Sequence, residues 1–380
     1  AEDGIRDIGV TGVQTCALPI SGAGCGRPHE QGTDRAAPQW GGWGEQSARM
    51  SGDPLYGPLA EVIRDGVVES RHIGVVSVVR GGVEVAHCGD SSATMFARSS
   101  LKPFQLLAML DAGLSSESWS SADLAVMASS HSGQAEHLAQ VRSILARVGL
   151  SEADLRNTPV FPMDPAARQN LREQGVTEKA SVFGDCSGKH AAMLATCVVN
   201  SWPRESYLDP GHPLQQSIRA AIETWTQDRV DHTAVDGCGA PLFSGTTSGL
   251  ARGFAALVDA DPTTHAGRVA HAMREHPVLV AGRGRDVTAA MQATPGLLLK
   301  DGAEGVLAGA LRTGGDGPVT GFAIKVADGA ARPRVVVLAA LLQALGVTSN
   351  TYEWAVSPVL GGGRVVGQIQ SSLTLVWNAM

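Results

Sequence analysis

The sequence predicts an α+β fold, carried as one domain behind an N-terminal extension. Three observations support this. Strand-like runs lie towards both ends of the chain, helix-length segments fill its centre, and neither a repeat period nor a clear linker interrupts it after Met50. At 380 residues, 43% hydrophobic and 18% charged, the chain can bury a large core without disulfide or metal staples. Forty-six glycines against 4% aromatic residues point to close backbone packing and many turns.

Residues Ala1 to Arg49 have no sustained periodicity and are crowded with Gly, Pro, Gln and isolated Trp, so they are expected to be disordered. Their stretch VTGVQTCALPI (Val10 to Ile20) resembles the translation of a sequencing adapter, which would make the extension artefactual and Met50 the true start. A signal peptide around Cys16 is the alternative, but the basic start and apolar run that one needs are missing. The chemistry-bearing segments discussed below all fall in the domain 50–380.

From Ile73 to His87, two β-rich runs flank Arg80-Gly81-Gly82, the pattern of a hairpin. Pro103 to Leu110 is rich in helix formers, opens with proline and stops at Gly113, so Ser99 stands at a helix entrance. Further helices are expected at Ala135 to Val148, Lys189 to Val199, Pro213 to Thr226, Gly245 to Ala260 and Thr264 to Arg274. Strands are expected at Val319 to Val326, Arg334 to Leu338 and Arg364 to Ile369.

Thirty basic and 37 acidic residues give a net charge of -7 with no basic block, which argues against nucleic acid as a partner. No apolar run approaches the roughly 20 residues that span a membrane. Six scattered cysteines do not make a secreted disulfide framework, and a reducing cytoplasm fits best.

The chemistry is concentrated in five short segments. Ser99 and Lys102 in Ser99-Ser100-Leu101-Lys102 can share one helical face, and a lysine of depressed pKa can take the proton from a serine hydroxyl. The same tetrapeptide also reads as a helix cap followed by a solvated lysine. Ser129-Ser130-His131-Ser132-Gly133 is either a polar loop aimed at a cleft or the N-cap of the next helix. Asp185-Cys186-Ser187-Gly188-Lys189-His190 and Asp236-Gly237-Cys238-Gly239-Ala240-Pro241 each hold a cysteine beside an acid. A metal, a reactive thiol and a buried structural thiol all remain open there, whereas the missing upstream glycine excludes a phosphate loop. Lys300, in Lys300-Asp301-Gly302-Ala303-Glu304-Gly305, emerges from an apolar run into a glycine turn, as a functional lysine or as one at a strand end.

Together these segments, in this order over Pro58 to Ile369, resemble the L-asparaginase II family, the bacterial, rhizobial-type class. The resemblance implies a fold like that of serine β-lactamases and glutaminases, a sheet flanked by helices with Ser-x-x-Lys at a helix entrance. It implies hydrolysis of L-asparagine to L-aspartate and ammonia by the pairs Ser99–Lys102 and Ser130–Lys300, with His131, Gly133, Asp236 and Gly237 binding substrate. It further implies zinc between Cys186, Lys189 and Cys238, no organic cofactor, and a homodimer. Two departures bear on substrate contacts: Asp185 stands where Asn is expected, and Gln134 where Glu is expected. The competing readings are a glutaminase or other serine amidohydrolase on the same scaffold, because Ser-x-x-Lys does not specify substrate, and a non-catalytic amino-acid-binding protein.

Overall fold

Apolar alternation draws both ends of the chain into one antiparallel sheet. The computed structural model describes residues 55–312, 317–347 and 352–378, so the extension 1–49, with Cys16 and Cys25, lies outside the described residues. In chain order the strands are β1 (Gly57–Arg64), β2 (Val67–Arg80), β3 (Val83–Cys88), β4 (Thr94–Phe96), β5 (Thr233–Val235), β6 (Pro241–Thr246), β7 (Leu298–Gly302), β8 (Val306–Arg312), β9 (Val319–Val326), β10 (Pro358–Gly361), β11 (Arg364–Ser371) and β12 (Val376–Trp377). The main sheet runs β10-β11-β1-β2-β9-β8-β7, with β3 and β12 off this path, and β4-β6-β5 form a small second sheet. The expected hairpin is present, turning at Gly81 and Gly82, both with positive φ.

The helices are α1 (Lys102–Met109), α2 (Ser121–Met127), α3 (Ala135–Arg147), α4 (Pro165–Glu173), α5 (Ser187–Val199), α6 (Pro213–Thr226), α7 (Thr247–Asp259), α8 (His265–Glu275), α9 (Pro277–Val280), α10 (Asp286–Ala293) and α11 (Arg334–Ala344). The central helices fall where the periodicity places them, except that Gly245 belongs to β6. Helix α7 starts at Thr247, behind a Thr246 side chain that accepts from Gly249 N.

The two sheet faces differ in side-chain size. Ala308, Ala310 and Ala323 share a core with Leu250, Ala251 and Phe254 of α7, whereas Leu307, Phe322 and Ile324 pack with Val337, Leu341 and Leu342 of α11. A Cβ on Gly321 would lie 2.1 Å from Ala251 O, so α7 approaches the backbone of β9 more closely than any side chain permits. This is where the glycine-rich, aromatic-poor composition is used.

The expected strand at Arg334 to Leu338 is instead the first half of α11. A continuous apolar run carries no period that separates a buried strand from a buried helix. Here its length and the flanking Pro333 and Gly346 match a helix, and the second sheet face covers it.

Candidate functional site

Ser99 sits in a tight turn, Arg98–Leu101, that leads from β4 into α1. Arg98 adopts φ 54°, a left-handed conformation that costs a non-glycine residue on the order of 1–3 kcal/mol. The turn is held from two sides. Arg98 Nε and Nη2 reach Asp236 Oδ1 at 2.8 and 2.7 Å, and Gly302 of β7 lies so close beneath that a Cβ there would meet Ala97 O at 2.6 Å.

Helix α1 is buried along its whole length and carries Lys102 into the interior, 2% exposed. Its Nζ donates to Ser130 Oγ at 2.9 Å and to Asp185 Oδ2 at 3.3 Å. From β7, Lys300 donates to the same Ser130 Oγ at 2.8 Å and to the carbonyl and carboxylate of Asp301, each at 2.8 Å. One hydroxyl therefore bridges two buried lysines. The neighbouring serines are spent elsewhere: Ser129 Oγ donates to Val126 O and Ser132 Oγ to Ala281 O. Among the described residues nothing engages the hydroxyl of the half-buried Ser99, while Lys102, three residues on, turns to Ser130 and Asp185.

Burial pushes the Lys300 ammonium down to about 8, with Lys102 and Arg285 adding to the depression and Asp301 opposing it. Burial also works against the Asp301 carboxylate, but Lys300, Arg285 and Arg334 together hold it well below the usual carboxylate range.

Beside this cluster, the start of α5 brings Cys186, Lys189 and His190 towards Cys238 in the β5–β6 loop. The ligand atoms of Cys186, His190 and Cys238 lie within 4.8 Å of one another. Lys189 Nζ is 3.3 Å from Cys238 Sγ. His190 is fully buried and its Nε2 has no hydrogen-bond partner, while Nδ1 meets Tyr207 OH at 2.8 Å. The hydrogen bond between the two thiols lowers the pKa of Cys238 and raises that of Cys186. Two sulfurs and an unsatisfied imidazole nitrogen form a donor set that suits zinc; Lys189 joins it only by giving up a proton that, against the cost of burial, Cys238 and Cys186 hold on it.

The L-asparaginase II family model matches residues 60–371. The chain belongs to the L-asparaginase II family. No curated protein matches it. Among solved structures it is similar to Mglu in its native form, at 15% identity and TM-score 0.39 over 73% of this chain, which spans only 65% of the Mglu chain. It is also similar to the Bacillus subtilis glutaminase YbgJ in covalent complex with 5-oxo-L-norleucine, at 14% identity and TM-score 0.32 over 72% of this chain and 88% of that one. Likeness this slight carries no argument.

Within this member of the L-asparaginase II family, the five motifs reach one region. Lys102, Ser130 and Lys300 touch. Asp185 links Lys102 to Cys186, and Asp236 links the Ser99 turn to Cys238. His131 is fully buried: Nδ1 accepts from Gly133 N, and Nε2 donates to Ser187 Oγ. Gly133 is a turn residue, with φ 74° and Pro162 pressed against its missing side chain. Gly237 N donates to Asp236 Oδ1 and Gly237 O accepts from Thr158 Oγ1. Gln134 binds Asp164 and the Arg283 amide instead of the site. Sequence reasoning missed His190, Arg285 and Arg334. The signal for His190 was its place beside Lys189, but one buried histidine is ordinarily a core residue.

Proposed function

We propose that this protein is a serine amidohydrolase that converts L-asparagine to L-aspartate and ammonia, with Ser99 as nucleophile. The observation that carries the reading is the bridge Lys102–Ser130–Lys300 beside a half-buried Ser99 whose hydroxyl is uncommitted. Lys102, three residues along the same turn, takes the Ser99 proton as Ser99 Oγ attacks the side-chain amide carbon. Ser130 passes that proton towards the departing nitrogen, and ammonia leaves. Water then attacks the aspartyl ester while the same relay runs in reverse, returning the proton to Ser99. Asp236 and Arg98, paired at the rim of the Ser99 turn, have the charges to meet the α-ammonium and α-carboxylate of the substrate.

The cluster of Cys186, Cys238 and His190 supports zinc as part of the proposal, held by Cys186, Cys238 and a deprotonated Lys189, which stands 3.3 Å from Cys238 Sγ. When bound, zinc supplies a Lewis-acidic anchor for an α-group of the substrate. The setting we propose is a homodimer in the cytoplasm. The four described cysteines are free, and among the described residues no helix is long and apolar enough to cross a membrane.

Glutamine is the rival substrate, longer by one methylene, a difference worth only about 1–3 kcal/mol of discrimination. Ammonia release measured with asparagine and with glutamine tests the preference. A Ser99→Ala protein is expected to lose activity with either amide, and full activity in that variant overturns the nucleophile assignment.

A further inference from the structure

Lys102 and Lys300 share Ser130, but their other partners differ. Lys300 Nζ has three acceptors, Ser130 Oγ, Asp301 O and Asp301 Oδ1, each at 2.8 Å. An ammonium has three N–H groups, so every one is spent at short range. Lys102 has one short partner, Ser130, and two longer ones on Asp185, at 3.3 and 3.5 Å. One lysine is clamped in its charged form and the other is loosely held.

The clamp is itself built. Asp301 is 6% exposed and is met by Arg285 Nη2 at 2.7 Å on the oxygen opposite Lys300. Arg334, also 6% exposed, stands 3.9 Å from that oxygen, donates to the carbonyls of Gly302 and Val306 at the two ends of the β7–β8 turn, and is anchored by Asp286 at 3.2 Å. A buried carboxylate is tolerated only with such partners, and here three cations surround one anion whose remaining task is to hold Lys300. The charged groups facing Lys300 are Asp301 on its own strand, Lys102 of α1, Arg285 ahead of α10 and Asp185 ahead of α5.

We propose that Asp301, fixed by Arg285 and Arg334, is a positioning residue that keeps Lys300 an ammonium, so that Lys300 serves as the electrostatic and proton-donating partner of Ser130 while Lys102 alone acts as base. This rests on the amidohydrolase reading and divides its labour. The depression of Lys300 to about 8 leaves it mostly charged at neutral pH. Activity therefore requires Lys300 protonated and falls as pH rises through its pKa.

The test is the pH profile of kcat for ammonia release, measured on Asp301→Asn and Arg285→Gln beside the parent. Loss of the Asp301 charge lowers the Lys300 pKa and moves the alkaline limb to lower pH by about one unit or more. Loss of the Arg285 charge removes a neighbouring cation and moves the same limb to higher pH. Opposite shifts of one limb are not produced by structural damage. Movement of the acidic limb instead, or no movement in either variant, overturns the proposal. If Asp301→Asn fails to fold, Arg285→Gln decides alone, since its side chain is 22% exposed and an unmoved or acid-shifted alkaline limb refutes the assignment. A Ser99→Ala protein made alongside separates the two failures: an active Ser99→Ala removes the amidohydrolase mechanism, whereas an inactive one with unshifted limbs removes only the role of Asp301.

Discussion

Replacing Ser130 with alanine removes one oxygen and two hydrogen bonds, those from Lys102 at 2.9 Å and Lys300 at 2.8 Å. Hydrogen bonds to charged groups contribute about 1.5–3 kcal/mol each, which sets an upper bound of about 6 kcal/mol. Two features reduce that figure. Lys300 keeps both contacts to Asp301, and Lys102 keeps both to Asp185. The net cost is expected to be about 2–4 kcal/mol, read as a fall in the urea midpoint at unchanged slope. In ammonia release, loss of the relay is expected to lower kcat by about 10²–10⁴. Ser129→Ala is the control: its hydroxyl caps the end of α2 through Val126 O, so it is expected to cost about 1 kcal/mol with little change in kcat. A Ser130→Ala protein that unfolds with the parent and turns over at its rate refutes the bridge between the lysines.

Other outcomes follow from the same structure. Gly321→Val puts a branched side chain where a Cβ alone would lie 2.1 Å from Ala251 O; a loss of about 3 kcal/mol or more in urea unfolding is expected, and an unchanged midpoint contradicts the close approach of α7. Burial depresses His131 to about 3, so between that value and its unfolded pKa of about 6.5 the unfolded chain binds the extra proton. Stability is therefore full above about pH 6.5 and declines as pH falls towards 3, and urea midpoints for His131→Asn are expected to depend less steeply on pH over that window than those of the parent. For the metal, the purified protein is expected to hold one zinc per chain by elemental analysis, lost in Cys186→Ser and Cys238→Ser; cobalt exchanged into the site is expected to show thiolate charge-transfer absorption, and its absence argues against sulfur ligation.

Much of the fold was legible because its signals are local. The hairpin at Gly81-Gly82, the exact span of Pro213–Thr226 and the strand Val319–Val326 follow from turn residues, caps and period. Arg334–Ala344 was misjudged because an uninterrupted apolar run reports burial and not conformation. In the site, Ser99, Lys102, Ser130, Lys300, Cys186 and Cys238 could be named because each stands in a short, unusual setting of glycine, cysteine or lysine. Asp301 stood within such a motif, but Arg285 and Arg334 look like ordinary surface arginines until the fold is known.

The sequence by itself determined most of the elements, picked out five polar segments as the candidates for the chemistry, and showed that the chain resembles the L-asparaginase II family, because residue type and spacing act within a few turns of chain. Only the tertiary structure decided which serine meets both lysines, that His131 is buried against Ser187, and that His190, whose Nε2 is unsatisfied, stands with two sulfurs. The bonds joining Lys102 and Lys300 to Ser130 and His131 to Ser187 connect residues 28 to 170 positions apart, set by how β7, α1, α5 and the loop after α2 pack, and no local rule encodes them. The division of roles proposed for Lys102 and Lys300 rests on contacts of that second kind, since two lysines in one sequence differ only in what surrounds them.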